Sequence, residues 1–326
     1  MRLFFQKSIY LSIYLVADSF LLISRMTPPR ANALLPGDVS AKLERAVHKA
    51  VQRTSNCVPD GAVLISTFNE YHRPLHELQF QAVHGLRCLM TRVVLLCFGS
   101  HAVNNLRGTC VKAPAARQSD FREGDYFSLS WIKWNVAWHA LNVASCVLMV
   151  DADVVVLRNP FTPEVTARRE DLLYQQEHHG HHYAPFLQST DPSSRVKLRT
   201  DGIGNAPNPK SAHFRSAMNS GQLLIRSQPL VERVLQVMPA SPSADSRLEQ
   251  VLVFMELLTR PSGFRASGLP ASFASRHWYS PTRLPWRSLL TYHATWYGGN
   301  VSEKVRWMQE ALTQSNRSAS GGLGIG

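Results

Sequence analysis

No C-x-x-C pair occurs among the five cysteines (Cys57, Cys88, Cys97, Cys110 and Cys146), which removes the usual spacing of a structural zinc site. Nor is there a block of like charge, a zinc-finger spacing or an aromatic motif of the RNA-binding sheet, so nucleic acid is not expected as a partner. No internal repeat divides the chain. Acidic residues are few beside basic ones, 23 against 35, and the net charge of +12 favours anionic partners such as nucleotide phosphates, acidic glycans or membrane headgroups. With 44% apolar residues, 326 in all, extended disorder is not indicated, and one large domain with a substantial core fits the length. An odd cysteine count cannot pair completely. Cys97 and Cys110 flank a short segment and suit a bridge in an oxidising lumen; buried free thiols on strands are the equal alternative.

Arg2 and Lys7 precede a mostly apolar run from Ser8 to Ser24, the pattern of a signal peptide or a short signal anchor. Asp18 weakens the run, since a carboxylate near its middle costs about 3 kcal/mol on insertion scales. Ala31-Asn32-Ala33 offers a cleavage site, but Arg25 and Arg30 interrupt the approach to it, which favours an uncleaved anchor. The expected organisation is an anchor over 1–24, a stem over 25–59, a catalytic domain over 60–314 and a flexible tail over 315–326. Asn-x-Ser sequons at Asn300 and Asn316 suit a luminal protein. The expectation is a Golgi membrane protein with its domain in the lumen.

Within the domain, 62–68, 92–98 and 146–150 are continuous apolar runs of strand length, separated by helical periodicities over 71–89 and 128–143. Apolar strands alternating with helices predict a doubly wound α/β sheet covered on both faces. Weaker strands are expected at 171–176, 221–226 and 271–273, with helices at 229–237, 247–258 and 302–312. In such sheets ligands bind beyond the carboxyl ends of the strands, and Asp151-Ala152-Asp153 follows one of them.

Two carboxylates at i and i+2 on extended chain share a face and repel unless a cation lies between them. A hard divalent ion, magnesium or manganese, is the simplest solution, and it can stabilise the charge on a departing diphosphate. A strand end followed by a solvated turn is the plainer alternative. Glu177-His178-His179-Gly180-His181-His182 is discounted as a metal site, because consecutive loop histidines seldom converge on one ion. Trp131, Trp134 and Trp138 fall at i, i+3 and i+7 and are expected in the core; Trp278, Trp286 and Trp296 are left as possible sugar platforms.

The segment from Trp131-Ile132-Lys133-Trp134 through Val147-Leu148-Met149-Val150-Asp151-Ala152-Asp153 to Asn159-Pro160-Phe161 resembles the core of the nucleotide-diphospho-sugar transferases. That family includes plant and algal cell-wall xylosyl- and arabinosyltransferases and is related to glycogenin-like enzymes. Three further segments follow in the family's order: Asn219-Ser220-Gly221, Glu249-Gln250, and His293 with Gly298, Gly299 and Lys304. The resemblance implies a glycosyltransferase A (GT-A) fold, a manganese-dependent nucleoside-diphosphate sugar donor, a glycan or glycoprotein acceptor, and retention of anomeric configuration.

Carried over by position, it implies Asp151, Asp153 and His293 as metal ligands, with Asp151 also near donor hydroxyls, and Lys304 and Lys133 on the diphosphate. Asn219 and Gly221 would lie against the donor sugar and Gln250 near the anomeric carbon, while Ser66, Thr67 and Asn69 would meet base and ribose. Each has a plainer role open to it: a packed histidine for His293, a solvated lysine for Lys133, a bulge for Asn219 and Gly221, and turn capping for Ser66, Thr67 and Asn69. Glu249 replaces the family's aspartate and Thr295 its asparagine. Two other readings start from the same residues: a phosphatase whose first D-x-D aspartate is phosphorylated, and a non-catalytic lectin or Golgi assembly subunit.

Overall fold

Val63 and Ile65 on one strand turn to one side, and Ala62 and Leu64 to the other, yet all four are buried, so the sheet they belong to is covered on both faces. The computed structural model describes residues 35–81, 87–99, 109–114, 126–176, 218–238, 249–250, 253, 263–275, 286–295 and 301–320. Helices are α1 (Gly37–Gln52), α2 (Arg73–Gln79), α3 (Arg87–Met90), α4 (Tyr126–Leu141), α5 (Pro163–Thr166), α6 (Gln228–Gln236) and α7 (Val301–Ser320). Strands are β1 (Ala62–Asn69), β2 (Val93–Phe98), β3 (Thr109–Ala113), β4 (Cys146–Val150), β5 (Val154–Val156), β6 (Leu172–Gln176), β7 (Met218–Ile225), β8 (Ala266–Gly268), β9 (Phe273–Ser275) and β10 (Thr291–His293).

The main sheet has the order β3-β2-β1-β4-β7-β6-β8 and a second sheet the order β5-β10-β9. β1 pairs in parallel with both β2 and β4, while β7 is antiparallel to its neighbours. The order therefore turns back between β1 and β4, and that switch point opens a crevice at their carboxyl ends. The doubly wound α/β architecture expected from the apolar runs is the one found.

On one face, α1, α4 and α6 bury Leu43, Val47, Trp131, Trp134 and Val234 against the sheet. On the other, Leu64, Leu95, Leu148 and Val150 meet Phe80, Phe161 and Phe273. A third cluster joins α2 and α7 to the second sheet through Leu75, Val155, Tyr292 and Met308. Trp131 and Trp134 are core residues, as their helical spacing predicts.

Several boundaries differ from expectation. Residues 37–52 are not stem but α1, whose Val39, Leu43, Ala46, Val47 and Ala50 form one buried stripe. The Pro- and Ala-rich composition around it hid that period. α7 continues to Ser320, so residues 315–320 are helix rather than tail. The expected helix over 71–89 is shorter: a 3-10 turn over 70–72, then α2 to Gln79. β3, β5 and β10 are short strands that the apolar pattern did not reveal.

Two disulfides join Cys57 to Cys88 and Cys97 to Cys110, leaving Cys146 as the free thiol. The second is the bridge the spacing allowed; the first was not foreseen. Among the described residues no helix is long and apolar enough to cross a membrane. The 1–24 segment, the histidine cluster over 177–182, Trp278 and Trp296 lie outside the described residues.

Candidate metal and diphosphate site

The two aspartates meet through a turn rather than along an extended strand. β4 ends at Val150, and Val154 N donates to Asp151 O at 3.1 Å, closing a turn that carries the chain from the main sheet into β5 of the second. Asp151 N donates to Gly221 O at 2.8 Å, continuing the β4–β7 ladder by one residue. Ala294 N donates to Asp153 O at 2.9 Å, continuing the β5–β10 ladder. Both ends of the motif are thus held by sheet hydrogen bonds. Gln79 at the end of α2 adds a third support, its Nε2 donating to Asp151 O at 2.8 Å.

His293, the last residue of β10, reaches the same point. Asp151, Asp153 and His293 offer ligand atoms that all lie within 4.8 Å of one another. Gln175 Oε1 lies 2.8 Å from His293 Nδ1, and Nε2 lies 3.1 Å from Asp153 Oδ1. Gln175 Oε1 is placed to accept from Nδ1–H, which directs Nε2 at Asp153, where it can share an ion with the carboxylate. The β6–β7 register shifts between Tyr174 and Gln175: Tyr174 faces Leu223 and Gln175 faces Asn219, so the extra residues, 220–222, lie on β7, and such irregularities commonly re-aim side chains beside sites of this kind. Two carboxylates and a neutral imidazole, oriented by a neighbouring carbonyl, fit a divalent ion.

Each aspartate also carries a lysine. Lys304 Nζ lies 2.6 Å from Asp153 Oδ2. Burial opposes the charge on Asp153, but the Lys304 ammonium and His293 outweigh it and hold the carboxyl well below its ordinary value. Lys133 Nζ donates to Asp151 Oδ1 at 2.9 Å, Ser220 O at 3.1 Å and Ser220 Oγ at 3.2 Å. Those acceptors match its three hydrogens. In this arrangement Lys133 holds Asp151 and β7 together rather than facing outward to a phosphate, which differs from the role expected by position. Its ammonium would be lowered by burial, but the Asp151 and Glu249 carboxylates raise it above its ordinary value.

Glu249 is turned into the same buried network. It lies 4.0 Å from Lys133 and accepts from Trp134 Nε1 at 3.4 Å; burial raises its carboxyl, with Lys133 offsetting part of the rise. The extra methylene that distinguishes it from aspartate is used inside the protein. Gln250 stands next to β7, its Oε1 accepting from Ser220 N at 3.4 Å. Asn219 Oδ1 accepts from Gly221 N at 2.7 Å within β7, at the point where its register against β6 shifts, so the bulge expected as their plainer role is present. The close approach at Gly221 is made by His293: a Cβ there would fall 2.1 Å from Cε1 of the imidazole.

At the other side of the crevice, register pairs Ser66 with Val150, so Thr67 and Asp151 follow just beyond the carboxyl end of β4. Thr67 is half-buried. Asn69 Oδ1 caps the 3-10 turn by accepting from His72 N at 3.1 Å, while Asn69 Nδ2 and Ser66 Oγ are buried without a partner among the described residues. The structure therefore brings Asp151, Asp153, His293, Lys304, Lys133, Asn219, Gly221 and Gln250 together, with Thr67 and Asn69 along the edge. Sequence reasoning missed Gln79, Gln175 and Ser220, polar residues with no local pattern to mark them.

The model of the nucleotide-diphospho-sugar transferase family matches residues 95–308. The chain belongs to that family. The GT-A type of doubly wound sheet expected for it is the architecture described above. No curated protein matches the chain. Among solved structures it is similar to the WbbM bifunctional glycosyltransferase at a TM-score of 0.44 and 9% identity, over 80% of this chain and 53% of that one, so it spans about half that protein's length. Mouse xyloside xylosyltransferase 1 is similar at a TM-score of 0.41 and 13% identity, over 72% of this chain and 97% of that one. Glucosyl-3-phosphoglycerate synthase from Mycobacterium tuberculosis, solved with Mn2+, UDP-glucose and phosphoglyceric acid, is similar at 0.36 and 14% identity, over 86% and 84%.

Proposed function

We propose that the chain transfers a sugar from a nucleoside-diphosphate donor to a glycan or glycoprotein acceptor, with manganese or magnesium held by Asp151, Asp153 and His293. The observation that carries this reading is the convergence of those three side chains at a strand switch point, within a family defined by nucleotide-sugar chemistry. A divalent ion there supplies Lewis acidity to the departing diphosphate. Lys304, partly exposed beside Asp153, can add a point charge to the same phosphates. Thr67 and Asn69 line the side expected to take base and ribose.

The imidazole in the ligand set favours manganese over magnesium. Asp151, Asp153 and Glu249 are the described carboxylates of the cluster, and each is engaged by a lysine, which leaves none free to act as a nucleophile. That supports retention by same-face attack of the acceptor hydroxyl, with Gln250 and Asn219 beside the anomeric carbon. A pentose donor follows the resemblance to cell-wall xylosyl- and arabinosyltransferases. The two disulfides suit the oxidising lumen of the secretory pathway, in keeping with a Golgi enzyme tethered by its N-terminal segment. In the phosphatase alternative the D-x-D motif stands on the first core strand, whereas here β1, β2 and β3 precede it.

The test is an Asp153→Asn variant assayed for transfer with a panel of nucleotide sugars in metal-buffered solution. Loss of at least about 100-fold in rate is expected from removing a metal ligand. Full activity in the variant would sink the reading.

A further inference from the structure

Two lysines face the two aspartates of the cluster, and they are built differently. Lys133 is only 8% exposed and its hydrogens are taken by Asp151 and Ser220. Lys304 comes from the first turn of α7, is 22% exposed, and lies 2.6 Å from Asp153 Oδ2. The other oxygen of Asp153 faces His293 Nε2 at 3.1 Å. Both oxygens of this ligand are therefore engaged, one of them by a cation that belongs to the protein.

We propose that Lys304 is the resident counter-ion of Asp153, displaced when a diphosphate arrives, so that it couples metal binding to diphosphate binding. The proposal rests on the metal-diphosphate reading above. With Lys133 beside Asp151 and Glu249, and Lys304 on Asp153, a bare divalent ion meets carboxylates that already carry counter-ions and must displace an ammonium from a nearly buried one. A diphosphate changes both terms. Its negative charge draws the ammonium of Lys304 away from Asp153, and its oxygens complete the ion's ligand shell. Lys304 is partly exposed on a long stem, so its ammonium can move with little change to the core, whereas Lys133 is buried with its hydrogens taken by Asp151 and Ser220. Metal and diphosphate consequently favour each other's binding, and the coupling is reciprocal.

Removing Lys304 separates this role from two simpler ones. A lysine that only binds phosphate leaves the affinity for metal alone unchanged when it is lost. A lysine that only supports the fold weakens every property together. The counter-ion role alone predicts a gain: with Lys304 replaced, Asp153 is left open to the metal.

The experiment is a calorimetric titration of manganese into the full chain without nucleotide, for the natural protein, Lys304→Met, the milder Lys304→Gln, Lys304→Arg and Asp153→Asn. Lys304→Met and Lys304→Gln should bind manganese alone about tenfold or more tightly than the natural protein, while Lys304→Arg, which keeps the charge, stays weak. Repeating the titrations with UDP, GDP, CDP and ADP in turn should show strong coupling in the natural protein and weaker coupling in Lys304→Met, where only completion of the ion's ligand shell remains. Melting curves give a second readout: manganese should raise the melting temperature of Lys304→Met more than that of the natural protein. Equal or weaker manganese affinity in Lys304→Met and Lys304→Gln, or an equal thermal response, overturns the counter-ion role while leaving the metal site standing. Absence of manganese binding in every variant, with and without each nucleotide, overturns the metal-diphosphate reading and this proposal with it.

Discussion

The imidazole of His293 lies against the α-carbon of Gly221, so that a methyl group there would fall 2.1 Å from Cε1 and 2.7 Å from Nδ1. Glycine is required at this point by close approach of another side chain and not by a left-handed backbone, since Gly221 is not among the positive-φ glycines. Gly221→Ala should push the ring away from Asp153. We expect manganese affinity to fall by about tenfold or more, with overpacking costing about 1–3 kcal/mol of stability. Calorimetry beside a urea melt checks it; a variant with unchanged metal affinity contradicts the role given to His293.

Gln175 Oε1 lies 2.8 Å from His293 Nδ1, the position from which an acceptor orients a metal-binding imidazole and leaves Nε2 for the ion. Gln175→Leu keeps the volume and removes that acceptor, so a drop in metal affinity of roughly 10–100-fold is expected. Retention of native affinity would show that the ring is oriented by packing alone.

Lys133 is the cation shared by Asp151 and the buried Glu249. Lys133→Met should destabilise the protein by about 3–5 kcal/mol, because Glu249 is left buried with its charge unmatched. Adding Glu249→Gln should recover much of that loss, and a double-mutant cycle on urea melts measures the coupling. Additive losses would mean that the two do not act on each other.

Much of this arrangement was legible in the sequence, and the part that was not has physical causes. Asp151 and Asp153 were found because they follow an apolar strand, His293 because its motif falls in the family's order, and the sheet around them because β1, β2 and β4 are unbroken apolar runs. The D-A-D geometry was misjudged: period-two alternation holds on extended chain, and here the motif is a hydrogen-bonded turn between two sheets. Gln79 and Gln175 act across the tertiary fold, through contacts to residues 72 and 118 positions away, which no local pattern reports. Lys133 reads as an exposed helical lysine until β7 is laid beside it.

His76 stacks on Phe68 at 4.2 Å between ring centroids, and its Nδ1 lies 2.9 Å from Gln79 Oε1. Burial pushes its pKa down to about 4, with the Gln79 hydrogen bond opposing. The folded chain thus binds fewer protons here than the unfolded chain, and the stability due to neutral His76 is lost as pH falls from about 6.5 to about 4. The loss should reach roughly 3 kcal/mol and be absent in His76→Phe. Urea melts across that range are the check, and parallel pH profiles for the two proteins would refute it. Glu170 has a separate window: burial opposes its charge, but Arg168 and Ser267 hold it at about 2, so its contribution fades only below about 4.5.

The two disulfides leave one thiol among five cysteines. Alkylation of the unfolded, unreduced protein should label one cysteine per chain, Cys146, with peptide mapping to place it. Three or more labelled cysteines would rule out one or both bridges.

The docking of α1 makes residues 35–52 part of the folded domain: Leu35 is 1% exposed, and Val39, Leu43, Ala46, Val47 and Ala50 are buried with it. A recombinant boundary drawn after Gln52, where the composition alone would put it, strips an apolar cover from the sheet and should give a protein that aggregates, whereas one drawn before Leu35 keeps that cover.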